Sequence, residues 1–148
     1  MLLPILKTLF TRDLTKLKSE IELYRNEKII WQTEKNISNS AGNLCLHLIG
    51  NLNTFIGAAL GHTNYMRNRE LEFSLKNISR EALLSNIEQT MVMVNITLDN
   101  LREEEITGEY PLLVFKEKTS IQFFLVHLAT HLSYHLGQIN YHRRLMDA

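Results

Sequence analysis

Apolar and polar positions along the chain alternate with helical rather than strand periodicity. From Phe10 the apolar residues fall at Leu14, Leu17, Ile21 and Tyr24, in steps of three and four with charges between them. That spacing predicts a first amphipathic helix, opening near Pro4. Ser40 suits the N-cap of a second helix that runs to about Leu60, with Gly61 as its stop. Ser79 caps a third, whose seam Leu84, Ile87, Met91, Val94, Leu98 and Leu101 keeps the same alternation. After the Gly and Pro punctuation of "REEEITGEYP", Thr119 and Gln122 read as a capping box opening a fourth helix to about Leu145, with the stripe Leu125, Leu128, Leu132, Ile139 and Leu145.

Four such helices with few strand signals predict an all-α four-helix bundle, in which sites are built from inward side chains of different helices. The 148 residues fit one domain, 1–148, long enough to bury a core without metal or disulfide support. The segment "GHTNYMRNRELEFSLKNIS" shows no sustained period and reads as a connection. Its length makes it a site candidate in its own right.

Composition narrows the setting. Lys plus Arg (16) equal Asp plus Glu (16) and the pI is about 7.0, which disfavours a nucleic-acid partner. Cys45 is the only cysteine, so neither an internal disulfide nor a Cys-rich zinc site is expected, and a reducing compartment suits the chain. The opening "MLLPILKTLFTRD" lacks the basic start and cleavage site of a leader. No apolar run approaches ~18 residues, so no membrane span is expected and the default localisation is cytoplasmic.

Half of the six histidines lie in "HLATHLSYH". His127, His131 and His135 are spaced by four, one helical turn each, and so share a face. Two imidazoles at i and i+4 can serve one ion and suit zinc, nickel, copper or iron, but the outer two are separated by ~11 Å and cannot both bind it. Spacing leaves open whether the pair is His127 with His131 or His131 with His135. A third ligand must come from another helix, where His47 in "NLCLHLIGNL" is the available histidine. His62 and His142 read as surface or rim residues, and Cys45, about 200° round the helix from His47, as a core thiol.

Familiar metal motifs fit poorly. Leu128 and Leu132 stand where a zinc protease places its glutamate. Residues 44, 59, 124, 128, 132 and 139, three before each histidine, are all apolar, which excludes the Glu-x-x-His pairs of di-iron bundles.

Taken together, "NSAGNLCLHLIGNL", "YMRNRELEF" and "HLATHLSYHLGQINYHRR" resemble the DinB-like superfamily of metal-dependent four-helix bundles, over most of the chain. The resemblance implies an up-down-down-up topology and a divalent metal, zinc or nickel, held by one histidine of helix two and a His-x-x-x-His pair of helix four. The family's pair precedes a Gly-Gln step, here Gly137-Gln138, which places the ligands at His47, His131 and His135 and leaves His127 outside. It further implies a possible homodimer and an enzyme in which the metal activates a low-molecular-weight thiol, as in bacillithiol-type S-transferases, or water. The alternative is a non-catalytic metal-binding or structural, stress-associated bundle.

Arg67 and Arg69 are candidates to hold a carboxylate of a thiol cosubstrate or substrate, with pairing to Glu70, Glu72 or helix-end carbonyls as the structural alternative. Asn51, one turn after His47, points toward the site or makes a helix–helix hydrogen bond. Gly50 and Gly57 read as points of close helix approach, and Trp31 as packing at a bundle end.

Overall fold

A computed structural model describes all 148 residues. Helix α1 spans Leu3–Leu23, α2 Ala41–Gly61, α3 Arg69–Ser74, α4 Arg80–Asn100 and α5 Ile121–Met146, and a short 3-10 turn, Glu27–Trp31, links α1 to α2. The chain is an all-α helical bundle. Its only extended pairing is an isolated bridge between Glu109 and Ser120.

α1 buries Leu3, Leu6, Phe10, Leu14, Leu17 and Ile21, so the predicted stripe continues to its first turn. Pro4 is tolerated there because first-turn amides have no partner within the helix. The Glu103 carboxylate, from the loop after α4, accepts from the amides of Leu2 and Leu3. Lys7–Asp99, Thr11–Asn95 and Lys18–Glu88 contacts pair α1 antiparallel with α4. On its other side Glu20 binds Asn140 and Arg143 of α5.

α2 is capped as expected: Ser40 Oγ accepts from the Asn43 amide at 3.2 Å. Two features were not expected. Residues Asn53–Ala58 are π-helical, and the helix ends with His62, not Gly61, in the left-handed conformation (φ 54°). By length and composition alone α2 is also apolar enough to cross a membrane, a test that the buried core helix of a bundle passes equally. In the fold it is the helix that α3, α4 and α5 pack around, and it carries His47, Asn43 and Asn51 among its buried residues. Cys45 is buried in the core and Trp31 lies against Gly42, where a Cβ would come within 2.6 Å of the indole.

The connection after α2 contains α3, which the absence of periodicity concealed. Six residues are too few to display a period, but Asn68 Oδ1 caps it by accepting from Leu71 N. Asn43 fastens it to α2, its Nδ2 donating to the carbonyls of Glu72 (2.9 Å) and Leu75 (2.8 Å).

The other departures concern phase. α4 has the predicted cap, Ser79, but buries Leu83, Ile87, Thr90, Val94, Thr97 and Leu98, leaving Leu84, Met91 and Leu101 only partly covered. Packing against two neighbours draws in a wider face than an apolar seam, and the threonines join it because their hydroxyls find partners: Thr90 donates to Asn86 O and accepts from Asn53. α5 is capped by Ser120, whose Oγ accepts from Phe123 N, and not by Thr119 with Gln122. The Thr119 carbonyl instead accepts from Tyr110 N and the Gln122 amide donates to Ile106 O, so the preceding loop holds both. Leu136 is buried and Leu145 is 71 % exposed, the reverse of the predicted stripe.

Twenty-seven buried apolar residues form one cluster drawn from α1, α2, α4, α5 and the loops. At roughly 1.5–3 kcal/mol per buried large side chain, that burial is ample to specify the bundle without a bound ion.

Candidate metal centre

α2 and α5 run antiparallel past each other, with Phe55 against Phe124 (ring centroids 5.4 Å) and His47 against His131 (5.1 Å) and His135 (5.3 Å). The i, i+4 pair on α5 thus meets the lone histidine of α2. One nitrogen from each of the three lies within 4.8 Å of the others. His47 Nε2 and His131 Nε2 are 3.2 Å apart. Two nitrogens bound tetrahedrally at zinc distances stand about 3.3 Å apart, so this edge of the cluster fits an ion. His127 is outside the group. Its ring packs on Phe115 (4.9 Å) and Phe124 (5.6 Å) and lies 6.3 Å from that of His131.

The back nitrogens determine which way the lone pairs face. His47 Nδ1–H donates to Glu72 Oε1 at 3.0 Å, leaving Nε2 bare and directed at the cluster. Glu72 is clamped by Arg67 through Nε–Oε2 (2.8 Å) and Nη2–Oε1 (3.0 Å). Arg67 Nη2 also lies 3.4 Å from His47 Nδ1, but a carboxylate 3.0 Å from that nitrogen requires the proton to be on it, so this is proximity and not a hydrogen bond. His135 Nδ1–H donates to Gln138 Oε1 at 2.7 Å, which turns its Nε2 inward in the same way. A carboxylate or carbonyl behind a ligating imidazole is the usual means of fixing its tautomer and raising its basicity.

Burial pushes the Glu72 carboxyl up, but hydrogen bonds from His47 and Arg67 outweigh it and hold the group below the usual carboxylate range. His131 is pushed down to about 4, chiefly by burial and then by the positive charge His135, His47, His127 and Arg67 would present. Burial also lowers His135, opposed by its bond to Gln138. Burial thus favours the neutral imidazole at His131 and His135, the state a metal requires of its ligands.

Gly50 makes the second layer possible. A Cβ there would sit 1.8 Å from Glu72 Oε2, so the close approach expected of this glycine is an approach of α2 to a carboxylate. Gly57 meets Met93 and Thr63 at 3.1–3.2 Å.

Of the other candidate residues, Arg67 is held by Glu72 and lies over the Phe55 ring (5.6 Å), whereas Arg69 is exposed over Phe73 (5.4 Å). Asn51 is buried and its Oδ1 has no hydrogen-bond partner, nor has His131 Nδ1. His62 is exposed as expected. His142, read as surface or rim, is buried: Tyr24 OH bonds its Nδ1 at 2.6 Å and its Nε2 donates to Gln32 O at 2.7 Å, tying α5 to the α1–α2 link. Sequence reasoning gave Glu72 only as a possible partner of Arg67 and passed over the orienting role of Gln138. The signal for Gln138 was its place three residues after His135; for Glu72 there was none until α3 was known to dock on α2.

A cleft of about 480 Å³ reaches His135 and Gln138 between the 36–39 turn, Leu44 and Tyr134. A second, of about 340 Å³, lies between α2, α3 and α4 and touches the site only at Glu72.

Fold and site together define an all-α bundle with a half-buried three-histidine cluster capable of coordinating a divalent metal ion, an arrangement consistent with a DinB-like metal-binding fold. The chain belongs to the family described as "Protein of unknown function (DUF1572)", which matches residues 3–148. No curated protein matches its sequence.

Proposed function

We propose that this protein is a DinB-like metalloenzyme in which His47, His131 and His135 hold a divalent ion, zinc or nickel, and a low-molecular-weight thiol is joined to an electrophile beside it. The observation that carries the reading is the second layer. Glu72 and Gln138 orient two of the three imidazoles so that their other nitrogens converge with that of His131, whereas the core histidine His142 has each ring nitrogen paired with a separate partner. The side-chain pairings support the up-down-down-up course as well: α1 antiparallel to α4, α2 antiparallel to α5, and α1 parallel to α5, with Glu20 beside Asn140 and, just past α1, Asn26 beside Asp147.

With Glu72 neutralised by Arg67 and the imidazoles uncharged, a bound divalent ion would keep its full charge and act as a Lewis acid that lowers the pKa of a thiol or water at its open side. The chain's residues do the rest. His47, His131 and His135 present lone pairs, and Glu72 and Gln138 hold the ring planes. The cleft beside His135, within the size range of small-molecule sites, admits the cosubstrate. Arg69, free of a carboxylate partner, is the residue we assign to a carboxylate of that molecule, while Arg67 serves Glu72. We further propose that the protein works as a homodimer, which light scattering at micromolar concentration checks.

The test is metal content by mass spectrometry followed by turnover of bacillithiol with monochlorobimane. The expected result is about one equivalent of metal in the wild type and thioether formation that His47→Ala abolishes. Full metallation without turnover across several thiols would instead favour a non-catalytic metal-binding bundle.

A further inference from the structure

The cleft that ends at His135 carries no charged side chain. Eleven residues line its volume of about 480 Å³, and none is Asp, Glu, Lys or Arg, although 22 % of the chain is charged. Other grooves of the bundle differ: the one between α1 and α5 presents Arg12, Asp13, Lys16 and Glu20, and the one at the start of α4 presents Glu27, Arg80, Glu81 and Glu88. The Arg144 guanidinium stands over the Tyr141 ring (5.3 Å) but is not among the residues that line the cleft.

Its walls are aromatic and apolar. Tyr134, Gln138, Tyr141 and Leu145 follow one another in steps of four, three and four, so they form one ridge along α5. The ridge begins at the metal cluster, where the rings of Tyr134 and His135 meet at 5.2 Å. Tyr134, Tyr141 and Leu145 are each more than 60 % exposed, and Ile37 and Leu44 supply the facing wall. Apolar side chains exposed singly need no explanation, but these share one concavity that is continuous with the candidate site. The polar groups beside them, Gln138 and those of the 36–39 turn, are neutral, and His142 has both ring nitrogens committed to Tyr24 and Gln32.

An ion entering such a cleft gives up hydration with no opposing charge to meet it, whereas an aromatic ring gains tyrosine faces to pack on. We infer that this cleft selects the electrophile: an uncharged aromatic molecule, its ring along the Tyr134–Tyr141 ridge and its reactive carbon at the His135 end. This rests on the thiol-transfer reading above and gives it a substrate class. The carboxylate of the thiol goes the other way, to Arg69 on α3, which lies over Phe73, whose ring packs on His47 (4.9 Å). The step is a displacement. The thiol sulfur bonds to the electrophilic carbon, the bond from that carbon to its leaving group breaks with the electron pair on the leaving group, and the thiol proton passes to water.

Two unreactive probes of one shape separate charge from size: 4-nitrobenzyl alcohol and 4-(hydroxymethyl)benzoate, whose nitro and carboxylate groups are isosteric. In nitrogen-15 NMR titrations of the full chain, the nitro compound is expected to shift residues of the ridge and of the 36–39 turn, and to bind there at least about tenfold more tightly than the carboxylate. Tyr141→Ala, six residues beyond His135, is expected to weaken it about 2–10-fold, the worth of one aromatic contact, with zinc affinity unchanged, and Tyr141→Phe to keep it. With zinc and bacillithiol, 4-nitrobenzyl chloride is expected to be consumed in preference to 4-(chloromethyl)benzoate, each corrected for its uncatalysed rate. Equal binding of the two probes, shifts confined to other surfaces, or a Tyr141→Ala variant that dissociates a dimer without altering probe binding would overturn the inference and leave the transferase reading in place. Selective binding in the cleft without turnover of either chloride would uphold its ligand class and remove the transferase reading.

Discussion

Glu72 is a buried carboxylate that accepts from His47 Nδ1 and from the Arg67 guanidinium, and Gly50 is what lets it approach α2. Gly50→Ala puts a methyl group where Oε2 now lies. Glu72 must withdraw, His47 loses its orienting partner, and zinc affinity is expected to fall about 10–100-fold, a cost of the order seen when such partners are removed. Isothermal titration of the folded variant checks it, and affinity equal to wild type would show that Glu72 does not support the site. Cys45 makes a different point. Complete burial pushes its thiol up to about 12, so the residue is inert in the native protein. Native protein is expected to leave Ellman's reagent unreacted at pH 8 and to release one equivalent of chromophore on unfolding in guanidinium.

Single elements were legible to the degree that local chemistry alone decides them. Ser40 and Ser79 cap the helices they were expected to cap, because a serine before an apolar run has little competition for the first free amides. At Thr119 and Ser120 two hydroxyls compete, and the Tyr110–Thr119 and Ile106–Gln122 backbone bonds of the preceding loop decide for Ser120. Ser120→Ala is therefore expected to cost about 0.5–2 kcal/mol and Thr119→Ala a few tenths, measured by denaturant unfolding. A larger loss at Thr119 would contradict the assignment. α3 could not be read because its six residues are held by Asn43, 26 positions before its first residue. His142 was misplaced for a similar reason: its partners Tyr24 and Gln32 are more than 100 residues away. The histidine pair, by contrast, was legible as a spacing, but choosing between its two registers needed either the family resemblance or His47 seen in place.

Across the whole molecule, core and site make separable demands on stability. The apolar cluster holds the bundle, and the histidines add a pH dependence. The folded-state value of His131, about 4, lies below its ordinary 6.5, so between these values the unfolded chain binds more protons than the folded one. The stability of metal-free protein is thus greatest above pH 6.5 and declines as pH falls toward 4, with Glu72 adding to the loss at the acid end. Melting temperatures of metal-free protein from pH 7.5 to 4 are expected to fall across that window, and His131→Gln to flatten the fall. A profile identical in the variant would show that the decline has another source.

The central claim is that one ion is shared by His47, His131 and His135 and not by His127. Zinc titration of the four single alanine variants tests it most directly. His127→Ala is expected to bind one equivalent with wild-type affinity, while each of the other three loses most of its binding and all four retain a helical circular dichroism spectrum. Loss of zinc in His127→Ala, with full binding kept in His135→Ala, would contradict the account.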